Sequence, residues 1–139
     1  MKRFLFVLLV FVLVCGMVPL AQAESAIQPR DSAFFSSYGT TLSRQGGGTI
    51  KIVFGATGMG ICNTLGVATY EVERLNDEGY WEDCSGLLDG QTASNVGSYT
   101  FSRYFYGIPG EVYRVKVTFY CSIDGEAEFK SYTSRRIEA

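Results

Sequence analysis

The sequence predicts an all-β domain, a seven-stranded antiparallel β-sandwich. Apolar residues alternate with polar ones at a period of two in short runs, separated by Gly, Asn, Asp and Pro clusters. No stretch of residues 32–139 carries the three-to-four spacing of an amphipathic helix. Aromatic residues make up 14%, with nine Tyr and ten Phe, and such residues pack well on a pleated, half-buried surface.

Residues 33–43 read as the first strand, ending at the flexible turn Gln45-Gly46-Gly47-Gly48. Residues 49–57 form a second, with Ile50, Ile52, Phe54 and Ala56 on one face and Lys51 on the other. Gly55, Gly58 and Gly60 then predict a loop carrying Met59 and Cys62. In a third strand over 65–75, Ala68, Tyr70 and Val72 face inward and Thr69, Glu71 and Glu73 outward. The turn 76–79 leads to a short fourth strand over 80–85, which contains Trp81. The polar stretch 86–97 reads as the crossover between two sheets. A fifth strand, 98–106, closes at Gly107-Ile108-Pro109-Gly110. The clearest strand is 111–121: Tyr113, Val115, Val117, Phe119 and Cys121 share one face, and Arg114, Lys116 and Thr118 the other. Asp124-Gly125 turns the chain into the last strand, 126–137.

Ahead of this domain, Lys2 and Arg3 precede an apolar run and Ala21-Gln22-Ala23 offers a small-x-small site, the pattern of a secretory signal peptide over 1–23. Residues 24–31 read as a loose lead-in and 32–139 as a single domain, secreted and with no stable membrane insertion after cleavage. The formal net charge is −2, becoming −4 without Lys2 and Arg3, which argues against nucleic acid as a partner. Cys62, Cys84 and Cys121 remain in the exported chain, where one internal disulfide is permitted. Cys62, before the third strand, and Cys121, ending the strand beside it, fall at the same end of the sandwich. A Cys62–Cys121 disulfide with Cys84 left buried is therefore expected; three packed free thiols and a bridge between chains are the alternatives.

The segment from Ala68 to Trp81 resembles the third strand, hairpin and fourth strand of fibronectin type III domains. The stretch from Tyr99 to Gly110, followed by Tyr113-Arg114-Val115-Lys116-Val117, is similar to the later part of that immunoglobulin-like fold. The resemblance implies that Tyr113 anchors a corner, its hydroxyl bonding back to upstream backbone. Phe54 stands where that family usually has a core Trp, and the early loops differ. A narrower resemblance is to short secreted proteins of Gram-positive bacteria, a family of unknown function. It rests on Phe35 to Tyr38, Ala56 to Gly58, Leu65 to Val67, Asp77 to Trp81 and Tyr113 to Tyr120. It implies a small extracellular sandwich and carries no activity or site.

Catalytic chemistry is hard to assemble from these residues. Histidine is absent, so neither a Ser-His-Asp nor a Cys-His arrangement exists. Glu71 and Glu73 share a face, as a glycosidase pair would, but Arg114 and Lys116 lie on the neighbouring strand and pair with them more simply. Asp77, Glu78, Asp89, Asp124 and Glu126 belong to turns, and no spacing matches a metal loop. No cofactor is expected. The aromatic surplus is the better lead, because Phe34, Phe35, Tyr38, Tyr104, Tyr106, Tyr120 and Tyr132 cannot all point inward. Exposed Tyr is favoured at interfaces. Tyr104, Tyr106, Tyr120 and Tyr132 are the candidate patch, with Tyr120 and Tyr132 expected near each other. The sequence thus points to a secreted, non-catalytic module binding an extracellular protein or glycan. A small glycosidase-like hydrolase and a self-associating surface factor are the alternatives.

Overall fold

The computed structural model describes residues 32–139, all in strands, turns and irregular segments; the leader and lead-in expected over 1–31 lie outside them. Eight strands form one antiparallel hydrogen-bonded network: β1 (Phe35–Gly46), β2 (Thr49–Leu75), β3 (Trp81–Asp83), β4 (Leu88–Asp89), β5 (Thr92–Tyr106), β6 (Val112–Ile123), β7 (Glu126–Thr133) and β8 (Ile137–Glu138). The all-β, antiparallel expectation holds. The expected division of the chain does not, because the second and third strands are one continuous strand of 27 residues, β2.

One edge of β2 pairs with β1 along Thr49–Gly58 and with β6 along Thr64–Arg74. Its other edge carries β3, β4 and β5 in succession, so the chain from Trp81 to Tyr106 retraces β2 from Leu75 to Thr49. The polar stretch 86–97 is therefore part of this return arm and not a crossover. The change of layer is made within β2. Phe54 and Tyr70 lie sixteen residues apart, roughly 50 Å in an extended strand, yet their ring centroids are 4.9 Å apart. The bend falls where pairing with β5 jumps from Thr57↔Ser98 to Cys62↔Val96. Gly58 and Gly60 lie inside that jump, and a Cβ on Gly58 would strike the Cys62 sulfur. On the return arm Asn95 takes a positive φ of 57° beside it, a conformation Asn tolerates better than most residues.

The bend brings two apolar faces together. Ile50, Ile52, Phe54 and Ala56 from the first half of β2 meet Tyr70, Val72, Val115, Val117 and Phe119 from the second layer. Leu65 and Val67 also face this core, although Tyr70 and Val72 have the opposite parity. A register shift between Val67 and Thr69 absorbs the extra residue at Ala68, which is why alternation alone placed Ala68 inward. Tyr113 is buried, and its hydroxyl oxygen accepts the Ile108 N–H at 2.8 Å. The upstream backbone bond expected for this tyrosine is thus present. Gly107 lies against the same ring, 2.8 Å from where its Cβ would be.

The chain enters β1 through a polar clasp. Glu128 of β7 accepts the Ser32 hydroxyl at 2.8 Å and the Phe34 N–H at 3.0 Å, while Ser32 Oγ accepts the Phe35 N–H at 2.7 Å. Burial pushes the Glu128 carboxyl up, but the bonds from Ser32, Phe34 and Lys130 together hold it below its ordinary value. A carboxyl depressed in the folded state contributes stability that is complete above its unfolded pKa and is lost as pH falls through the folded one. Protection of the Phe34 and Phe35 amides, taken relative to the intrinsic exchange rate at each pH, should therefore fall as pH drops below about 4. In Glu128→Ala those amides should exchange fast even at neutral pH; unchanged protection in that variant would discard the clasp. For the corner, Tyr113→Phe should lower unfolding free energy by about 1 kcal/mol in urea titrations, and Gly107→Ala by about 1–3 kcal/mol through overpacking.

Candidate functional site

The outward face of β5 presents the most accessible aromatics of the expected patch. Its inward residues are Tyr99, Phe101, Arg103 and Phe105, opposite core residues of β2, so parity sends Thr100, Ser102, Tyr104 and Tyr106 outward. Tyr104 is 54% and Tyr106 79% exposed. Two residues of strand set them about 7 Å apart, Lys51 lies opposite Tyr104, and the exposed Ile108 follows in the adjoining turn. Among the described residues β5 pairs only with β2, so its far edge has no partner strand there.

Tyr120 and Tyr132 do not join this surface or each other. Tyr132 is opposite Val117 and shares its inward face, half-buried against Tyr38 and Phe119 at centroid distances of 6.4 and 6.3 Å. Tyr120 lies on the outward face, tilted against the exposed Phe129 at 5.0 Å. The expectation that they adjoin fails on parity: three steps separate Tyr120 from Val117, and an odd number of steps changes face. Of the other aromatics considered, Phe35 is buried and Phe34 and Tyr38 pack on the core.

The charged ladder has the arrangement expected for it. Glu71 is opposite Lys116 and Glu73 opposite Arg114. Lys116 Nζ lies 2.8 Å from Glu71 and 3.7 Å from Glu73, and Arg114 Nε bonds Glu73 while its guanidinium stacks 4.3 Å over the Trp81 ring. The Lys116 ammonium is raised above its ordinary pKa, first by the Glu71 hydrogen bond and then by the two carboxylate charges. Glu73 is only 8% exposed, so it is a carboxylate enclosed by its cations with little surface left for a substrate. A polar groove of about 240 Å³ runs beside the ladder, lined by Thr69, Thr118, Ser131 and Thr133 with Leu87 at its rim. Among the described residues no three Cys, Asp or Glu side chains gather as a metal site would require.

Cys62 and Cys121 meet in the core, as their places in the fold led one to expect, but as two buried thiols with sulfurs 2.9 Å apart and no disulfide bond. Burial first, and then the Cys62 sulfur, push the Cys121 pKa up to about 12. Such a thiol is a poor nucleophile at neutral pH. Cys84, expected buried, is exposed, because β3 ends at Asp83 and the chain turns outward at Gly86. Its thiol donates to the Val72 carbonyl at 3.2 Å. Its pKa is raised by partial desolvation and then by the Asp83 charge, so it too lacks activation.

One feature escaped the sequence reading. Between β1 and the segment after β7 lies a crevice of about 430 Å³ lined by Thr40, Thr41, Leu42, Tyr132, Arg135, Arg136 and Ile137. Thr40 is 8% exposed, and among the described residues its Oγ1 alone is a buried side-chain polar atom without a hydrogen-bond partner. The Arg135-Arg136 doublet was the available sequence signal; the hydroxyl gave none, since threonine alternates in β1 as it does in any strand.

No family model matches the chain, and no curated protein matches it. Among solved structures, the crystal structure of a protein from Archaeoglobus fulgidus is similar at 12% identity and a TM-score of 0.41, covering 76% of this chain and 97% of that one. A likeness of that depth brings no function with it.

Iodoacetamide applied to the folded, reduced protein should label Cys84 first, slowly for a thiol of raised pKa, and spare Cys62 and Cys121 until denaturant is added. Peptide mass spectrometry reads the three sites separately, and fast native labelling of Cys121 would contradict its enclosure.

Proposed function

We propose that this protein is an exported, non-catalytic interaction module that binds an extracellular protein or glycan through Tyr104, Tyr106 and the adjoining 107–110 turn. The observation that carries the reading is the pair of exposed tyrosines on the outward face of β5, an edge strand among the described residues, beside Lys51. Tyr brings a large contact area for the loss of only two side-chain torsions, and its hydroxyl tolerates water before a partner arrives. The enclosure of Glu71 and Glu73 by Lys116 and Arg114 favours binding over glycoside hydrolysis, which needs one carboxyl free to carry a proton. The Tyr113 corner supports an affinity with fibronectin type III domains within the broader antiparallel class.

Export also bears on the thiol pair. In an oxidising compartment Cys62 and Cys121 would transfer two electrons and two protons to a small-molecule disulfide, closing their own bridge as that oxidant becomes two thiols. Purification without reductant should yield a chain lighter by two hydrogens with only Cys84 titratable after denaturation. Three titratable thiols in the protein purified without reductant would count against oxidation of the pair.

The binding role is tested by Tyr104→Ser/Tyr106→Ser against a glycan array and cell-surface extracts. Both side chains are solvent-exposed, so the double variant should melt within about 2 °C of the parent. Its retention of the ligand should fall about tenfold or more, as loss of paired interface aromatics entails. Equal retention by parent and variant of every ligand that carries no acidic sugar, or no such ligand for the parent on either surface, would sink the reading. Self-association through the β5 edge is the second reading, and sedimentation at high concentration separates the two, since a persistent monomer speaks for a heterologous partner.

A further inference from the structure

We propose that the crevice between β1 and the 134–137 segment is a second binding site, for an acidic sugar whose carboxylate is held by Arg135 and Arg136. The site stands apart from the Tyr104–Tyr106 surface and does not depend on it. Its walls come from both layers. Thr40 and Leu42 lie on the inward face of β1, and Tyr132 and Ile137 on the inward faces of β7 and β8. The crevice is thus the open lip of the core, where β1 packs near β7 and β8 without hydrogen-bonding to them.

The lining matches one ligand class better than others. Neither Arg135 nor Arg136 makes an ion pair among the described residues, so both guanidiniums remain available to an oxyanion, which they bind in a planar, two-pronged fashion. Thr40 lines the crevice and carries a hydroxyl with its hydrogen bonds unmade; closed to solvent in this conformation, it meets a ligand only once its side chain turns toward the crevice. Leu42, Ile137 and the Tyr132 ring provide apolar surface for the carbon face of a pyranose. A free inorganic anion would use the arginines and leave the apolar wall idle; a neutral sugar would leave the guanidiniums unanswered. A uronic acid engages every part.

The wall carrying the arginines is fixed before any ligand binds. Ser134 is buried, donates its N–H to the Val115 carbonyl at 2.9 Å and accepts the Val115 N–H on its hydroxyl at 2.9 Å. Beyond Arg136, β8 pairs with Val112 and Tyr113, and the Ala139 N–H donates to the Glu111 carbonyl at 2.9 Å. The two arginines therefore sit on backbone pinned at both ends, which reduces the ordering cost of binding.

Isothermal titration of the full exported chain with a glucuronic acid disaccharide tests the assignment, with the corresponding glucose disaccharide and inorganic phosphate as parallel arms. The uronate should bind about tenfold or more tightly than either. Arg135→Gln/Arg136→Gln should remove most of that preference. Thr40→Val keeps the shape without the hydroxyl, so it should weaken the uronate several-fold while melting no lower than the parent. Tyr104→Ser/Tyr106→Ser should leave uronate binding unchanged, which separates failure of this site from failure of the tyrosine surface. Equal affinity for the glucose disaccharide, equal affinity for phosphate, or no heat from the uronate would each overturn the assignment.

Discussion

The interior of this protein depends on β2 turning back across its own path at Gly58–Cys62. A lone antiparallel sheet has one apolar face and nothing to cover it. Here the covering layer is the other half of the same strand together with what each half recruits, β1 and the end of β5 on one side, β6 and β7 on the other. Glycine at Gly58 and Gly60 removes the side chains that would block the turn, and the Cys62 sulfur occupies the space a Gly58 side chain would need. Two enclosed thiols thus sit beside the bend. Bridged or reduced, they contribute first as packing atoms.

Much of this was legible from residues taken two at a time. In β6 the alternation from Tyr113 to Cys121 states which side is buried, and the facing glutamates in β2 state which strand lies beside it. What the pattern could not convey was continuity. A glycine-rich stretch between two apolar runs reads as a loop, because flexibility and a sharp bend within a paired strand call for the same residue. For a related reason the polar stretch 86–97 read as a crossing. Most of its side chains are polar and exposed, although Leu88 and Val96 pack on the core, and only the backbone ladder to β2 shows that it belongs to the sheet.

The candidate sites divide along the same line. Tyr104 and Tyr106 were accessible to counting, since the inward Phe105 between them decides their side. Tyr132 was not, because its role comes from an element far away in sequence: it closes over Tyr38 and Phe119 at the lip of the core. The lip itself, with Thr40 and the arginine doublet, is formed only when the chain's last residues fold back toward its first strand. Chemistry that arises from such long-range meeting leaves little trace in local pattern.

Because one covalent strand belongs to both layers, those layers are not free to slide. In a sandwich of two separate sheets, small translations repack side chains while every backbone bond stays intact. Here any translation would have to drag β2 through its own ladder on both edges, breaking pairs with β1, β5 and β6 together.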